Sequence, residues 1–316
     1  MDYQRITTLI VHRINFLFVL FLSFPAWISS ATAQQLEPRR WGHLPTGAQF
    51  ISIAYLYTDG EIFLDPVLRI EDAEVRQDTL NARYLYSFGL AGRSARIEAD
   101  VPYARGRWQG LVDGEFTTTE REGFADPRLR LSVLLHGAPA LSGKAFNKYQ
   151  VNHPVNTVIG AAASLRFPVG EYYPDRLINL GNNRFVFRPE LGILHTRNRM
   201  SYELTGSLSL FGDNDEFWPG DSKREQDPLF LVQGHVVYTI TRALWASVSA
   251  GYGFGGESRI NGVARNDEQE NYFWALNLGV ATAPNQRFKV AYAAARTNNL
   301  VGVDSDNIVL AWSLIF

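Results

Sequence analysis

Asn307-Ile308-Val309-Leu310-Ala311-Trp312-Ser313-Leu314-Ile315-Phe316 are the last ten residues of the chain. Ile308, Leu310, Trp312, Leu314 and Phe316 alternate with Asn307, Val309, Ala311, Ser313 and Ile315. A period of two sends each set to one face of a strand. The first set is large and apolar through to Phe316, which suits the closing strand of a membrane barrel whose outer face meets lipid. A terminal Phe after alternating apolar residues also resembles the assembly signal of bacterial outer-membrane proteins.

The same pattern recurs upstream. Strand-like runs are expected at 47–57, 79–88, 95–103, 128–135, 157–167, 184–193, 202–211, 229–240, 244–254, 272–281 and 287–295. In the third, Ala95, Ile97, Ala99, Val101 and Tyr103 oppose Arg96, Glu98 and Asp100. In the fourth, Leu129, Leu131, Val133 and Leu135 oppose Arg128, Arg130 and Ser132. With 307–316 the runs number twelve, an even count as a single-chain bacterial barrel demands, and each has the length of a tilted membrane strand. Long external links are expected at 58–78, 104–126, 168–183, 212–228, 255–271 and 296–304, and short inner turns at 89–94, 196–201, 241–243 and 282–286. One link breaks the alternation: 136–156 is long yet periplasmic, and its Gly, Pro and Lys content reads as a loop with one helical turn. The fold class is therefore all-β, a transmembrane antiparallel up-and-down barrel over 47–316.

A soluble sandwich or lipocalin-like barrel also alternates, with its apolar face in a core. Two features favour the membrane. Charges gather opposite the aromatics, which makes the polar set lumenal, and Tyr, Trp and Phe recur near strand ends like an interfacial girdle.

Composition agrees. The chain has 316 residues, 26 Gly, 13% aromatic residues and no Cys. No disulfide, thiol nucleophile or thiolate metal site can form, which fits an envelope compartment. A formal net charge of −2 gives no basic field for nucleic acid. At the start, Arg5 and Arg13 precede an apolar run, 14–28, and then Ala31-Thr32-Ala33. That is the pattern of a secretory signal peptide, 1–33, cleaved after Ala33. The run is shorter than the roughly twenty residues a membrane helix needs, and Pro25 interrupts it. The mature start, 34–46, is polar and carries Arg39, Arg40, Trp41 and His43; periplasm and lumen are both open to it.

With apolar residues facing lipid, the lumen receives Arg96, Glu98, Asp100, Arg128, Arg130, Arg166, Arg184, Arg188, Glu190, Gln233, His235, Arg287 and Lys289. A register centred near Gly114 sets Glu98 opposite Arg130 and Asp100 opposite Arg128. Such pairs either select solutes or stiffen the barrel as a lattice, and matched signs within a hairpin favour the lattice. Arg166, Arg184 and Arg188 have fewer carboxylates nearby in sequence and suit the attraction of anions.

His235 would face Ser249 across a tight turn, an arrangement that resembles an outer-membrane phospholipase. No nucleophile elbow and no third member accompany the pair, so the chain is not read as an enzyme. Asp213, Asp215, Glu216, Asp221 and Asp227 make an acidic external loop without the Gly an EF-hand requires, and the His residues lack ligand spacing. No metal and no cofactor is expected.

The middle of the chain resembles a known family. Phe167-Pro168-Val169-Gly170-Glu171-Tyr172, Asp175-Arg176-Leu177-Ile178-Asn179-Leu180-Gly181, Asn183-Arg184 and Arg188-Pro189-Glu190-Leu191-Gly192 are similar to the MetA-pathway phenol-degradation family of outer-membrane transporter-like proteins. Gly137-Ala138-Pro139-Ala140-Leu141 and Gln226-Asp227-Pro228 fit the same pattern, which spans about 125–240. Val169 stands where the family usually has Thr. The resemblance implies a bacterial outer-membrane barrel that transports aromatic or other hydrophobic compounds, and it brings no catalytic residue.

The leading functional reading is a channel or transporter for small molecules, with outer-membrane lipid around it. The alternative is a non-conducting structural or partner-binding surface barrel; an outer-membrane lipid hydrolase ranks third.

Overall fold

The computed structural model describes residues 36–63 and 70–316. The expected signal peptide, its cleavage after Ala33, and residues 34 and 35 of the polar segment lie outside the described residues.

In chain order the strands begin with β1 (Gln49–Phe63), β2 (Ile70–Leu90), β3 (Arg93–Val112), β4 (Glu115–Phe124) and β5 (Arg128–His136). A helix, α1 (Gly143–Asn152), precedes β6 (Val155–Arg166), β7 (Val186–Arg197) and β8 (Met200–Phe211). Then come β9 (Asn214–Phe217), β10 (Ser222–Gln226), β11 (Leu229–Thr239), β12 (Leu244–Gly255), β13 (Ser258–Ile260) and β14 (Val263–Ala264). The chain finishes with β15 (Gln269–Ala283), β16 (Gln286–Thr297) and β17 (Gly302–Ile315).

Twelve of these close into one antiparallel barrel: β1, β2, β3, β5, β6, β7, β8, β11, β12, β15, β16 and β17. Consecutive wall strands pair, and β17 returns to β1 with Phe50 opposite Ile315 and Phe63 opposite Gly302. Gln49 and Phe316 complete the seam, each N–H donating to the other's carbonyl at 3.0 Å. Closure leaves the twelve-stranded wall without a free edge along this seam.

The distribution of polarity is inverted relative to a soluble protein. Ile51, Ile53, Leu80, Val101, Leu129, Leu131, Leu276, Leu278, Ile308 and Leu310 are exposed on the outside. Arg96, Glu98, Asp100, Arg130, Glu190, Glu203, Gln233, His235, Asn277 and Asn307 are buried inside. Only a surrounding hydrocarbon phase makes such a surface stable. Near the external ends, Tyr103 donates to Glu122 and Tyr252 to Glu270, both at 3.0 Å, and Tyr55 donates to Asp78. A phenol thus keeps its ring in the interface and its hydroxyl in water.

The departures from expectation lie outside the bilayer. The links 58–78 and 104–126 are largely strand: β2 and β3 run on together, and β4 folds back on β3 after the Asp113-Gly114 turn. The links 212–228 and 255–271 supply β9, β10, β13 and β14, which form a second, four-stranded sheet. The periplasmic link 136–156 contains ten helical residues, more than the single turn its composition suggested.

Candidate functional site

The lumen is occupied by the chain's own amino-terminal segment. Residues 36–46 rise from the periplasmic rim into the barrel. At the rim, Thr46 N–H donates to the Leu141 carbonyl and Gly47 N–H to that of Ser87, both at 2.8 Å. His43 lies against α1, edge-on to Phe146 (4.9 Å) and Tyr149 (5.5 Å), and its Nε2 donates to the Pro139 carbonyl at 2.8 Å. Burial lowers the His43 pKa, with the Pro139 bond acting in opposition.

Farther in, Trp41 is 0% exposed and packs on Leu134, Ala138, Val158 and Leu194. It fits because two wall residues have no side chain. A Cβ built on Gly160 would lie 2.3 Å from the indole, and one on Gly192 only 1.9 Å from Nε1. The same Nε1 donates to Thr205 Oγ1 at 2.8 Å, and the Arg130 guanidinium lies over the ring at 5.3 Å. At the far end of the segment, Leu36 enters an apolar cluster of Leu231, Phe273, Ala275, Ala293 and Ala295.

Charges tie the segment to the wall. Arg83 Nη1 donates to both Glu37 oxygens, at 2.8 and 2.9 Å. Arg40 reaches Glu190 at 3.3 Å, and its backbone N–H donates to Glu203 at 3.2 Å. These contacts extend a wall lattice. Glu98 stands opposite Arg130 and Asp100 opposite Arg128, with N–O separations of 2.9 and 2.7 Å. Arg96 joins Glu98 at 2.9 Å, Arg83 joins Asp100 at 2.6 Å, and Arg130 bridges to Glu190 at 2.9 Å. Arg130, only 1% exposed along its side chain, thus links two carboxylates. Buried charges of this kind persist only when their hydrogen bonds are met.

The external half of the lumen is different. Arg128 lies directly opposite Arg166 across β5 and β6. Arg188, two residues up-barrel of Glu190 on β7, has Arg166 and Arg128 among its electrostatic neighbours; Arg184 likewise faces Arg166, and Arg224 faces Arg184. Arg188 donates to Ser209 Oγ at 2.9 Å and Arg184 to Gln226. The Arg166 guanidinium donates no hydrogen bond among the described residues. Asp126, whose charge acts on Arg166, is engaged by the N–H groups of Gly170 (3.0 Å) and Asn182 (2.8 Å). Like charges opposed across a strand pair are unfavourable unless an anion intervenes.

The remaining sequence candidates are dispersed. Arg287 caps the carbonyls of Ala283 and Gln286 near the periplasmic end, at 2.7 and 2.9 Å. Lys289 faces Glu37, and Gln233 is buried in the β11 wall. His235 Nδ1 meets Ser249 Oγ at 2.7 Å, and among the described residues no carboxylate hydrogen-bonds the imidazole to orient it. Two acids of the external loop pair with cations: Asp213 binds Lys223 (2.8 Å) and Asp227 binds Arg259 (2.7 Å). Among the described residues no group of three or more His, Asp or Glu could hold a metal ion. Sequence reasoning missed Arg83 and Glu203 as lumen-side charges and Arg224 as a buried one, although Arg83 lies on the polar face of the second run.

With this geometry in hand, known proteins can be compared. The profile of the family described as "Putative MetA-pathway of phenol degradation" matches residues 67–302. An outer membrane channel from Pseudomonas putida F1 superposes with a TM-score of 0.72 at 19% identity, covering 89% of this chain and 100% of that one. A Pseudomonas aeruginosa FadL homologue aligns at a TM-score of 0.42 and 10% identity, covering 93% of this chain and 95% of that one. No curated protein matches the chain.

Proposed function

The chain belongs to the family described as the MetA-pathway of phenol degradation, and from that premise we propose that it is an outer-membrane channel for small solutes, exported by a cleaved signal peptide. The observation that carries this reading is the arginine ladder of the external half, in which Arg128 and Arg166 face each other in register with Arg188 close by. Arg128 is matched on its other side by Asp100, whereas Arg166 next to it makes no ion pair among the described residues and is left to act on a solute. Cations converging on a water-accessible path lower the barrier for anions and raise it for cations. The solutes are then small anions, aromatic carboxylates included, which agrees with an aromatic-degradation setting.

Purified protein in planar bilayers under a salt gradient should give a reversal potential of anion-selective sign. Arg166→Glu with Arg188→Glu should shift it toward cations. An unchanged reversal potential would remove the ladder from the solute path.

A second reading rests on the same segment that fills the lumen. If residues 36–46 never leave, the barrel is a closed surface platform. That reading predicts silence from the full chain and from a chain lacking 34–46 alike, whereas the channel reading predicts that the shortened chain conducts several-fold more.

A further inference from the structure

We propose that the lumen contains a binding site for a small carboxylate with an apolar body, and that Leu36-Glu37 occupies it as a built-in stand-in. The proposal rests on the channel reading and specifies its solute.

The wall around Leu36 breaks the rule of a polar lumen. Leu231 of β11, Phe273 and Ala275 of β15, and Ala293 and Ala295 of β16 all turn inward and are buried beneath it. The adjacent β12 position is Gly251, where a Cβ would come 3.2 Å from Leu36 Cδ2. Four of these six residues are Ala or Gly, so the strands leave a hollow that they do not fill themselves. A hollow of this polarity is costly in contact with water and suits a hydrocarbon or aromatic group.

The residue beside Leu36 supplies the other half of the match. The Glu37 carboxylate receives the Arg83 guanidinium through both oxygens, with Lys289 and Arg40 as further cationic neighbours. Lys289 lies on the same strand as Ala293 and Ala295, on the same face. Apolar pocket and cation cluster are therefore contiguous, and the dipeptide presents one branched apolar group and one carboxylate to them. A phenyl or short branched-alkyl carboxylate offers the same two features. A neutral alcohol of equal bulk would leave the Arg83 Nη1 donor, which Asp100 does not reach, without its carboxylate, and a bare inorganic anion would leave the hollow unfilled. Leu231, Phe273 and Ala295 lie near the external ends of their strands, so an anion drawn in by the arginines reaches the site without crossing the barrel. Entry requires Leu36-Glu37 to withdraw, and the tethered pair competes at the millimolar effective concentration typical of short flexible linkers.

Benzoate is the probe and benzyl alcohol its uncharged control, titrated by calorimetry into the full chain in detergent. Leu36→Gly with Glu37→Gln empties the site and should tighten benzoate binding about tenfold over the unaltered chain, since the internal competitor is gone. Ala293→Phe added to that background refills the hollow and should abolish binding, with Ala275→Leu serving if that variant fails to fold by heat-modified gel migration. Equal affinity in the emptied and unaltered chains would overturn the proposal, as would equal binding of benzyl alcohol. If both refilling variants misfold, the emptied chain and the alcohol control decide alone. Bilayer recordings separate the two readings: an emptied chain that conducts but ignores benzoate sinks the site alone, and one that binds benzoate but never conducts sinks the channel.

Discussion

At the scale of single residues, the fit of Trp41 depends on what Gly160 and Gly192 lack. Gly192→Leu would place atoms where the indole stands and should expel the segment while leaving β7 paired. The absence of native cysteine allows a clean report. Pro38→Cys, buried in the docked segment, should react with a maleimide at least about tenfold faster in the Gly192→Leu background; equal rates would show that Trp41 does not anchor it. Glu190 is the second pivot, since it accepts from both Arg40 and Arg130. Glu190→Ala leaves two buried guanidinium groups short of a partner and should cost roughly 3–5 kcal/mol, read as a lower urea midpoint of the folded barrel. The sequence showed Glu190, Arg130 and Trp41 as residues but not as one cluster. Strand alternation tells which face a side chain takes, and nothing local tells what will be threaded against that face.

At the scale of elements, the parts that escaped the sequence all lack an apolar pattern, for different reasons. In β4, Glu115, Thr117, Thr119 and Arg121 alternate with Phe116, Thr118, Glu120 and Glu122. Above the bilayer both faces of a strand meet water, so neither needs to be apolar and the period of two fades. The short strands β9, β10 and β13 are hidden for another reason: their covered face is largely polar, with Asn214, Ser222, Arg224 and Ser258 buried, so no apolar alternation marks it. Helix α1 has no buried residue and no side-chain cap, so it lacks an apolar stripe to announce it. Its role becomes visible only through His43, whose imidazole it flanks. Because the docked His43 has a lowered pKa, the neutral form is the one that docks. Its contribution is complete above the undocked pKa of about 6.5 and is lost as pH falls through the lower docked value. Relative to an exposed reference cysteine, whose own rate falls with pH as thiolate is lost, maleimide labelling of Pro38→Cys should therefore accelerate below about pH 6.5, and His43→Gln should flatten that ratio. A dependence that survives His43→Gln would place the proton elsewhere.

For the molecule as a whole, the fold was legible because the bilayer imposes an outer apolar set on every spanning strand, and twelve repetitions leave little room for another architecture. The turns that did not cross the membrane carried no such constraint. The inversion also yields a sharp test. Leu310 is 47% exposed, and in a water-soluble protein Leu310→Arg would be nearly neutral. On the lipid face near the bilayer middle the same change should cost roughly 2–4 kcal/mol, measured as unfolding free energy in lipid vesicles. A cost near zero would contradict the membrane setting of the barrel.

The unequal lengths of the staves have a consequence for the cell's exterior. β2 and β3 are 21 and 20 residues long, whereas β6, β7 and β8 have 12 each. Allowing for tilt, the longer pair climbs roughly 45 Å, against about 30 Å of hydrocarbon. The cylinder therefore has a parapet on one flank, tipped by the Asp113-Gly114 turn, which stands up into the lipopolysaccharide sugars. An antibody or phage tail arriving from the medium would meet that crest well before the wall of β6, β7 and β8, and a peptide tag spliced in there would be displayed to both.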